Sequence, residues 1–429
     1  MLEPLLFTHT LFTNVRLMDP ATGLDQPGTL LVRDGIIADF GPTLGRPDGA
    51  HTIDGDGAVL CPGLVDMRAA LGEPGFEYRE TIASAAQAAA ASGITTLAVL
   101  PDSRPAVDDP AIVRLLRARG EETGSLTILP YGAVTRGCLG EEMAEIGLLR
   151  EAGAVLFSDG QRAIGDTRLM RLALSYASGF GARIVQHPED PALAQGGVAT
   201  EGELATRLGL PGIPVAAEAI LVARDLRLLE LTNGALHIAH VSTAEALDLI
   251  RAAKRRGLNV TCDTAPPYFD LNETAIGNYR TYAKLSPPLR PEADRLAVCA
   301  ALADGTIDAI ASDHQPRDAD DKRLPFALAT PGGAGLATLL GVTLAQVHNN
   351  GLPLMRALAL MTCQPARILG TTAGLTRGAP ADLCLFALER AWQVVAGTLP
   401  GKAPNTPFDG RALEGKVLGT WKAGRRVYG

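Results

Sequence analysis

The feature that most constrains this chain is an alternation: a short apolar run, then a longer amphipathic one, eight times over. The short runs fall at 59–66, 95–100, 126–131, 154–158, 183–186, 236–239, 259–262 and 307–312. Strand-like runs separated by helical stretches predict βαβ units and a parallel sheet. Eight such units predict an α/β fold, a TIM-type (β/α)8 barrel with its chemistry at the C-terminal strand ends. Several helix ends are legible. Asp109 and Pro110 open one helix and Gly120 is expected to close it. Ser242 with Glu245 has capping-box spacing, and Gly234, Gly257 and Gly305 are expected terminators. A doubly wound open sheet is the competing architecture. No GxGxxG follows the first barrel strand, and the glycine-rich run 331–335 follows a loop.

The flanks read differently. Residues 1–57 carry runs at 11–18, 29–32 and 36–40, broken by Pro27-Gly28 and Asp34-Gly35. Residues 381–429 repeat the style at 381–387, 416–421 and 426–428. Together they predict one small β-sandwich domain made from both termini (1–57 and 381–429), beside a barrel over 58–380.

Composition narrows the function classes. A 429-residue chain that is 47% hydrophobic is neither disordered nor short of core. Its net charge of −8 argues against nucleic acid as a partner. No apolar run reaches the ~18–20 residues that span a bilayer, since 82–100 is interrupted by Gln87, Ser92, Gly93, Thr95 and Thr96. Glu3 and the absence of a basic-then-apolar start predict no signal peptide. Six cysteines without CxxC spacing predict reduced thiols and a cytoplasmic location.

Four ionisable residues stand at predicted strand ends: Asp159, His187, His240 and Asp313. In a barrel these converge on one mouth. Two imidazoles and carboxylates meeting there would suit zinc with one position open to water, and bound zinc lowers that water's pKa towards neutrality. The structural alternative is that each caps a loop or a helix. His237 and His348 are expected to be structural, and His9 and His51 lie in the β domain.

Longer stretches carry a resemblance. Pro62-Gly63-Leu64-Val65-Asp66-Met67, then Glu73-Pro74-Gly75-Phe76-Glu77-Tyr78-Arg79-Glu80-Thr81, resembles the dihydroorotases of the amidohydrolase superfamily. So do His240-Val241-Ser242-Thr243, Ser286-Pro287-Pro288-Leu289-Arg290 and Asp304-Gly305-Thr306-Ile307-Asp308. The resemblance runs in order over nearly the whole chain. It implies a binuclear metal site whose hydroxide attacks a cyclic amide. On that pattern Asp159 takes the bridging-ligand place, His187 and His240 bind the second metal, and Asp313 is the general acid/base.

The chain departs from the pattern where the chemistry is. The family's first strand ends Asp-Met-His-x-His-x-Arg, and here the run is Asp66-Met67-Arg68-Ala69-Ala70-Leu71-Gly72. Arg68 and Ala70 stand in the places of both first-metal histidines, and Gly72 in that of a substrate-carboxylate arginine. Pro-Asn-Thr becomes Pro101-Asp102-Ser103, Pro-His-His becomes Ala265-Pro266-Pro267, and a substrate-contact histidine becomes Arg317. At most one zinc ion, on Asp159, His187 and His240, is compatible with what remains. In the metal-free alternative Arg68 faces Asp159 and Asp313 and supplies the missing positive charge. The resemblance is to family members that lack the metal histidines and assemble with aspartate transcarbamoylase, which implies a degenerate, oligomeric scaffold. An active one-zinc dihydroorotase is the second reading, with carboxylate recognition from Arg317 or Arg68. A cyclic-amide hydrolase or binder of another substrate, its pocket reshaped by Arg68, Asp102 and Arg317, is the third.

Overall fold

The computed structural model describes residues 9–429. Two strand systems organise the chain. One is an eight-stranded sheet drawn from both ends of the sequence. Its order is Arg425–Tyr428, Ala412–Lys422, Leu383–Gln393, Val59–Pro62, His9–Asp19, Leu24–Arg33 and Ile36–Gly41, with His51–Asp54 also paired to His9–Asp19. Two tight hairpins shape its ends. Asp34-Gly35 and Ala423-Gly424 each place two consecutive residues at positive φ. That is the two-residue turn whose twist matches paired strands. The two hairpins meet: Ala381 N–H donates to Gly35 O, and Gly424 N–H donates to Ala381 O, both at 2.9 Å.

The sheet therefore curls over its own core of Phe12, Leu17, Leu30, Ile37, Leu60, Leu383 and Trp421. Phe12 meets Trp421 edge to face at 4.8 Å, a favoured aromatic geometry. The expected sandwich thus takes the form of one rolled sheet, because Val59–Pro62 stitches the N-terminal strands to the C-terminal ones.

The second system is parallel throughout. Leu64–Ala69, Ile94–Val99 and Thr127–Pro130 form three strands. Gly132–Ala133, Phe157–Ser158, Ile184–Gln186, Leu236–Ile238, Val260–Thr264 and Ala309–Ile310 form six. The two sets adjoin through Tyr131 and Gly132, whose N–H groups donate to Val99 O and Leu156 O. At the opposite margins a parallel bridge links Ala69 to His314. Helices such as Ile82–Ala91, Pro110–Thr123, Thr167–Ser178, Ala216–Thr232 and Ala244–Arg255 separate the strands in sequence. Side chains alternate by face as the strand period requires. Leu97 and Val99 join the large core with the helices, while Ala98 and Leu100 join a smaller cluster with Val65, Met67 and Val185.

Local expectations shift in several places, among them the run 154–158, which shortens to Phe157–Ser158, and the helix end expected at Gly234, where Asn233 takes the left-handed cap. The run 59–66 is two strands in two sheets, broken at Gly63, where a Cβ would stand 2.2 Å from Thr95 Oγ1. The run 307–312 shortens to Ala309–Ile310. Gly120 lies inside its helix, which stops at Gly124 with φ 60°. Glycine is needed at 120 because Ile128 packs where its side chain would be. The helix after His240 is capped by Thr243, not Ser242. All six cysteines are free, and among the described residues no helix is long and apolar enough to cross a membrane.

Asp66 ties the first parallel strand to the last. Its Oδ1 accepts from the Ser312 and Arg68 N–H groups at 2.9 and 3.2 Å, while Oδ2 is buried without a partner. Burial lifts its pKa to about 6. A carboxyl raised on folding stabilises below its unfolded pKa and loses that contribution as pH rises through the folded value. Asp66→Asn keeps the acceptor and removes the titration. Urea unfolding should show wild type losing on the order of 2 kcal/mol relative to Asp66→Asn between about pH 4 and 7. A constant difference across that window would refute the assignment.

Candidate functional site

Arg68 is a fully buried arginine, 1% exposed on the first parallel strand. A buried charge needs a partner, and this one has Asp313. Arg68 Nε lies 2.9 Å from Asp313 Oδ1, and Nη2 donates to Gly160 O at 3.1 Å. Nη1 is buried with no partner. Burial opposes the guanidinium charge, but Asp313 and Asp263 outweigh it and raise the Arg68 pKa. Asp313 is held well below the usual carboxylate range, since His240 and Arg68 together overcome its burial.

Both Asp313 oxygens are engaged. Gln315 Nε2 lies 3.1 and 3.2 Å from them, and His240 Nδ1 lies 3.4 Å from Oδ2. A useful general base has a pKa near the working pH. This carboxylate is pinned and far from it.

His240 and Asp313 both carry positive φ, 37° and 45°. Such backbone is uncommon for residues with a side chain and persists where the surroundings enforce it. The enforcement at His240 is visible. Its N–H donates to Asp263 Oδ1 at 2.6 Å, and Asp263 Oδ2 is held by His237 Nε2 at 2.9 Å. The next turn is gripped by fully buried Glu218, which accepts from Ser242 N, Thr243 N and Thr243 Oγ1 at 2.9–3.0 Å. It also takes the Ser242 hydroxyl, which is why Ser242 does not cap the helix. Arg290 completes the clamp, 3.3 Å from Glu218 and 2.9 Å from Ser242 Oγ.

His187 and His240 meet directly, Nδ1 to Nε2 at 2.9 Å. Burial, then the Arg68 charge, lowers the His240 pKa. His187 Nε2 is 3.4 Å from Ser286 Oγ and 3.9 Å from Glu189 Oε1. Asp159 sits apart from Arg68's hydrogen bonds. Its Oδ1 accepts from Val134 and Thr135 N–H at 3.1 and 2.9 Å, and Oδ2 from Thr135 Oγ1 at 2.5 Å. Burial raises its pKa against those bonds. The expected contact of Arg68 with both aspartates therefore narrows to Asp313, because Thr135 and its neighbour have already satisfied Asp159.

Asp102 and Arg317 line a small cavity of about 50 Å³ with Gly72, Phe76, Arg79 and Gln161. Burial raises the Asp102 pKa, opposed by Arg68. Arg317 donates from Nε to Pro331 O at 2.8 Å.

The binuclear metal site that the resemblance implies does not fit these residues. Among the described residues no three His, Cys, Asp or Glu side chains are grouped so as to hold a metal ion. The guanidinium of Arg68 lies against Asp313, Asp159 is saturated by backbone and hydroxyl donors, and the facing histidine nitrogens bond each other.

Gln161, Gln315, Thr135, Glu189 and Asp263 also shape the site and were not expected. Gln315 had one available signal, its i+2 relation to Asp313. Gln161 and Glu189 had the same signal, standing two residues after Asp159 and His187, whereas Thr135 and Asp263 lie more than twenty residues from the groups they hold.

The chain superposes on L-hydantoinase (dihydropyrimidinase) from Arthrobacter aurescens with a TM-score of 0.86, at 24% identity, covering 97% of this chain and 95% of that one. Dihydropyrimidinase from Brevibacillus agri gives 0.83 at 22% identity, over 98% and 95%. The protein thus has the hydantoinase-type amidohydrolase fold. A family model described as dihydro-orotase-like matches residues 57–246. Curated dihydroorotases from Pelobacter propionicus and Citrifermentans bemidjiense are 45% and 42% identical to the chain. They cover 98% and 96% of it and 99% and 98% of their own lengths. The chain belongs to the dihydroorotase family.

Removing one member of a buried ion pair costs about 3–5 kcal/mol, because the other charge is stranded. Arg68→Met should destabilise the protein by that order in urea unfolding. Arg68→Met with Asp313→Asn should recover most of the loss. Equal destabilisation by single and double variants would refute the pairing.

Proposed function

We propose that this is a dihydroorotase-family protein of de novo pyrimidine biosynthesis that no longer performs metal-dependent hydrolysis. We propose further that it serves as a cytoplasmic structural partner of aspartate transcarbamoylase. The two parallel sheets are read as one (β/α)8 barrel over 58–380, with the terminal sheet from 1–57 and 381–429 beside it. The observation that carries the proposal is the buried Arg68–Asp313 pair, formed by a residue that stands where the resembled family carries a metal-ligating histidine. It puts a fixed cation where ligands should converge, and it quenches the carboxylate that should move the proton. Losing one well-placed electrostatic stabiliser typically costs ~10²–10³ in rate. Here a metal, its ligands and a substrate arginine have changed together. The partner assignment rests on resemblance to relatives that lack the same histidines.

The test is dihydroorotate hydrolysis by purified protein, with and without added zinc, beside Asp313→Ala. No turnover above Asp313→Ala, and zinc well below one ion per chain by elemental analysis, is the expected result. Zinc-dependent turnover abolished by Asp313→Ala would overturn it in favour of a one-metal enzyme on Asp159, His187 and His240. Co-purification of tagged protein with aspartate transcarbamoylase from its own cells tests the partner. Transcarbamoylase eluting alone in that experiment would remove the scaffold role.

A further inference from the structure

A large cavity lies at the other end of the parallel strands. Its volume is about 570 Å³, within the range of small-molecule sites. It is walled by residues that precede the strands, among them Ala182-Arg183, Gly234-Ala235 and Asn259, so it opens opposite His187, His240 and Asp313. Its chemistry runs against that of the whole chain. The protein carries net charge −8, yet the cavity wall holds Arg150 and Arg183 and no aspartate or glutamate.

Arg183 is half-buried and spends its donors on uncharged acceptors. Nη1 reaches Leu236 O at 2.9 Å and Nη2 reaches Asn259 Oδ1 at 2.9 Å. Its nearest carboxylate influence, Asp308, is bound to Lys254 at 2.6 Å. A third guanidinium closes in from the side. Arg117 packs on Gly153, where a Cβ would stand 2.3 Å from Nη1, and Gly153 lines the cavity. The wall glycines Gly153 and Gly181 sit at φ +108° and +59°. Such backbone favours glycine and keeps bulk away from Arg117 and Arg150. Among the described residues Arg117, Arg150 and Arg183 form no ion pair, whereas Arg16, Arg119 and Arg256 each have a carboxylate.

We propose that this cavity binds a phosphate-bearing anion, held by the guanidinium groups of Arg150 and Arg117, with Arg183, fixed in the wall by Leu236 and Asn259, adding its positive charge. Guanidinium forks match phosphate oxygens in planar, bidentate geometry. Asn259 and Asn233 at the wall add neutral hydrogen-bonding groups for whatever the phosphate is attached to. The site is independent of the chemistry at the opposite end.

The test is isothermal titration of the intact protein at about 150 mM salt, where exposed charges are largely screened beyond ~8 Å. The probes are inorganic phosphate, pyrophosphate and ATP. Saturable binding of at least one probe is expected, weakened at least about tenfold in Arg150→Gln and in Arg117→Gln. Both side chains are exposed, so the melting temperature of the free variants should match wild type. Arg183→Gln should lose binding too, but it also breaks a tie between strands, so Arg150→Glu serves as the second folded control. ATP binding much more tightly than pyrophosphate identifies a nucleotide site. Equal affinities identify a site for the phosphate group alone. No saturable binding of any probe, or undiminished binding in both Arg150 variants, would overturn the proposal.

Discussion

A buried guanidinium cannot be left alone, and much of the described site follows from that constraint. Arg68 enters the parallel sheets from the first strand and finds Asp313 at the end of the last. The pair ties the margins of the parallel system together, as the Asp66–Ser312 bond does one layer away. Around it the remaining polar groups fall into line. Gly160 turns its carbonyl to Nη2, Gln315 reaches both Asp313 oxygens, and His240 Nδ1 stands 3.4 Å from Oδ2. His240, close to a fixed cation, is disfavoured as an imidazolium.

Much of this was legible in the sequence because periodicity and strand-end position are local signals. The alternation marked the parallel strands, and Asp159, His187, His240 and Asp313 stood out where strands should end. Arg68 stood out because a charged residue occupies a position that resembled relatives fill with histidine. What stayed hidden was long-range. Glu218 captures Ser242 from a helix more than twenty residues upstream, and nothing near Ser242 announces that its hydroxyl is unavailable for capping. Thr135 silences Asp159 across a similar gap. Gly120 looked like a terminator because glycine usually is one, but here its missing side chain makes room for Ile128.

The framework residues, such as Glu218, Arg290 and the loop after His240, form a fully bonded clamp. On the reading proposed above, Arg68 and Gly72 stand where the resembled family carries metal and substrate ligands. The clamp holds the loop after His240 in one conformation, joining residues that lie more than twenty positions apart in the chain.

The rolled terminal sheet has a consequence for synthesis. Val59–Pro62 pairs with residues 383–386, more than three hundred positions later in the chain. At ~5–20 residues per second on the ribosome, the earlier strand waits roughly twenty seconds to a minute for its neighbour. Throughout that interval the nascent chain presents an unpaired apolar edge, Val59-Leu60-Cys61, of the kind that recruits other chains. Successful production in the cell therefore depends on shielding this edge co-translationally, a demand set by topology rather than by the stability of the finished fold.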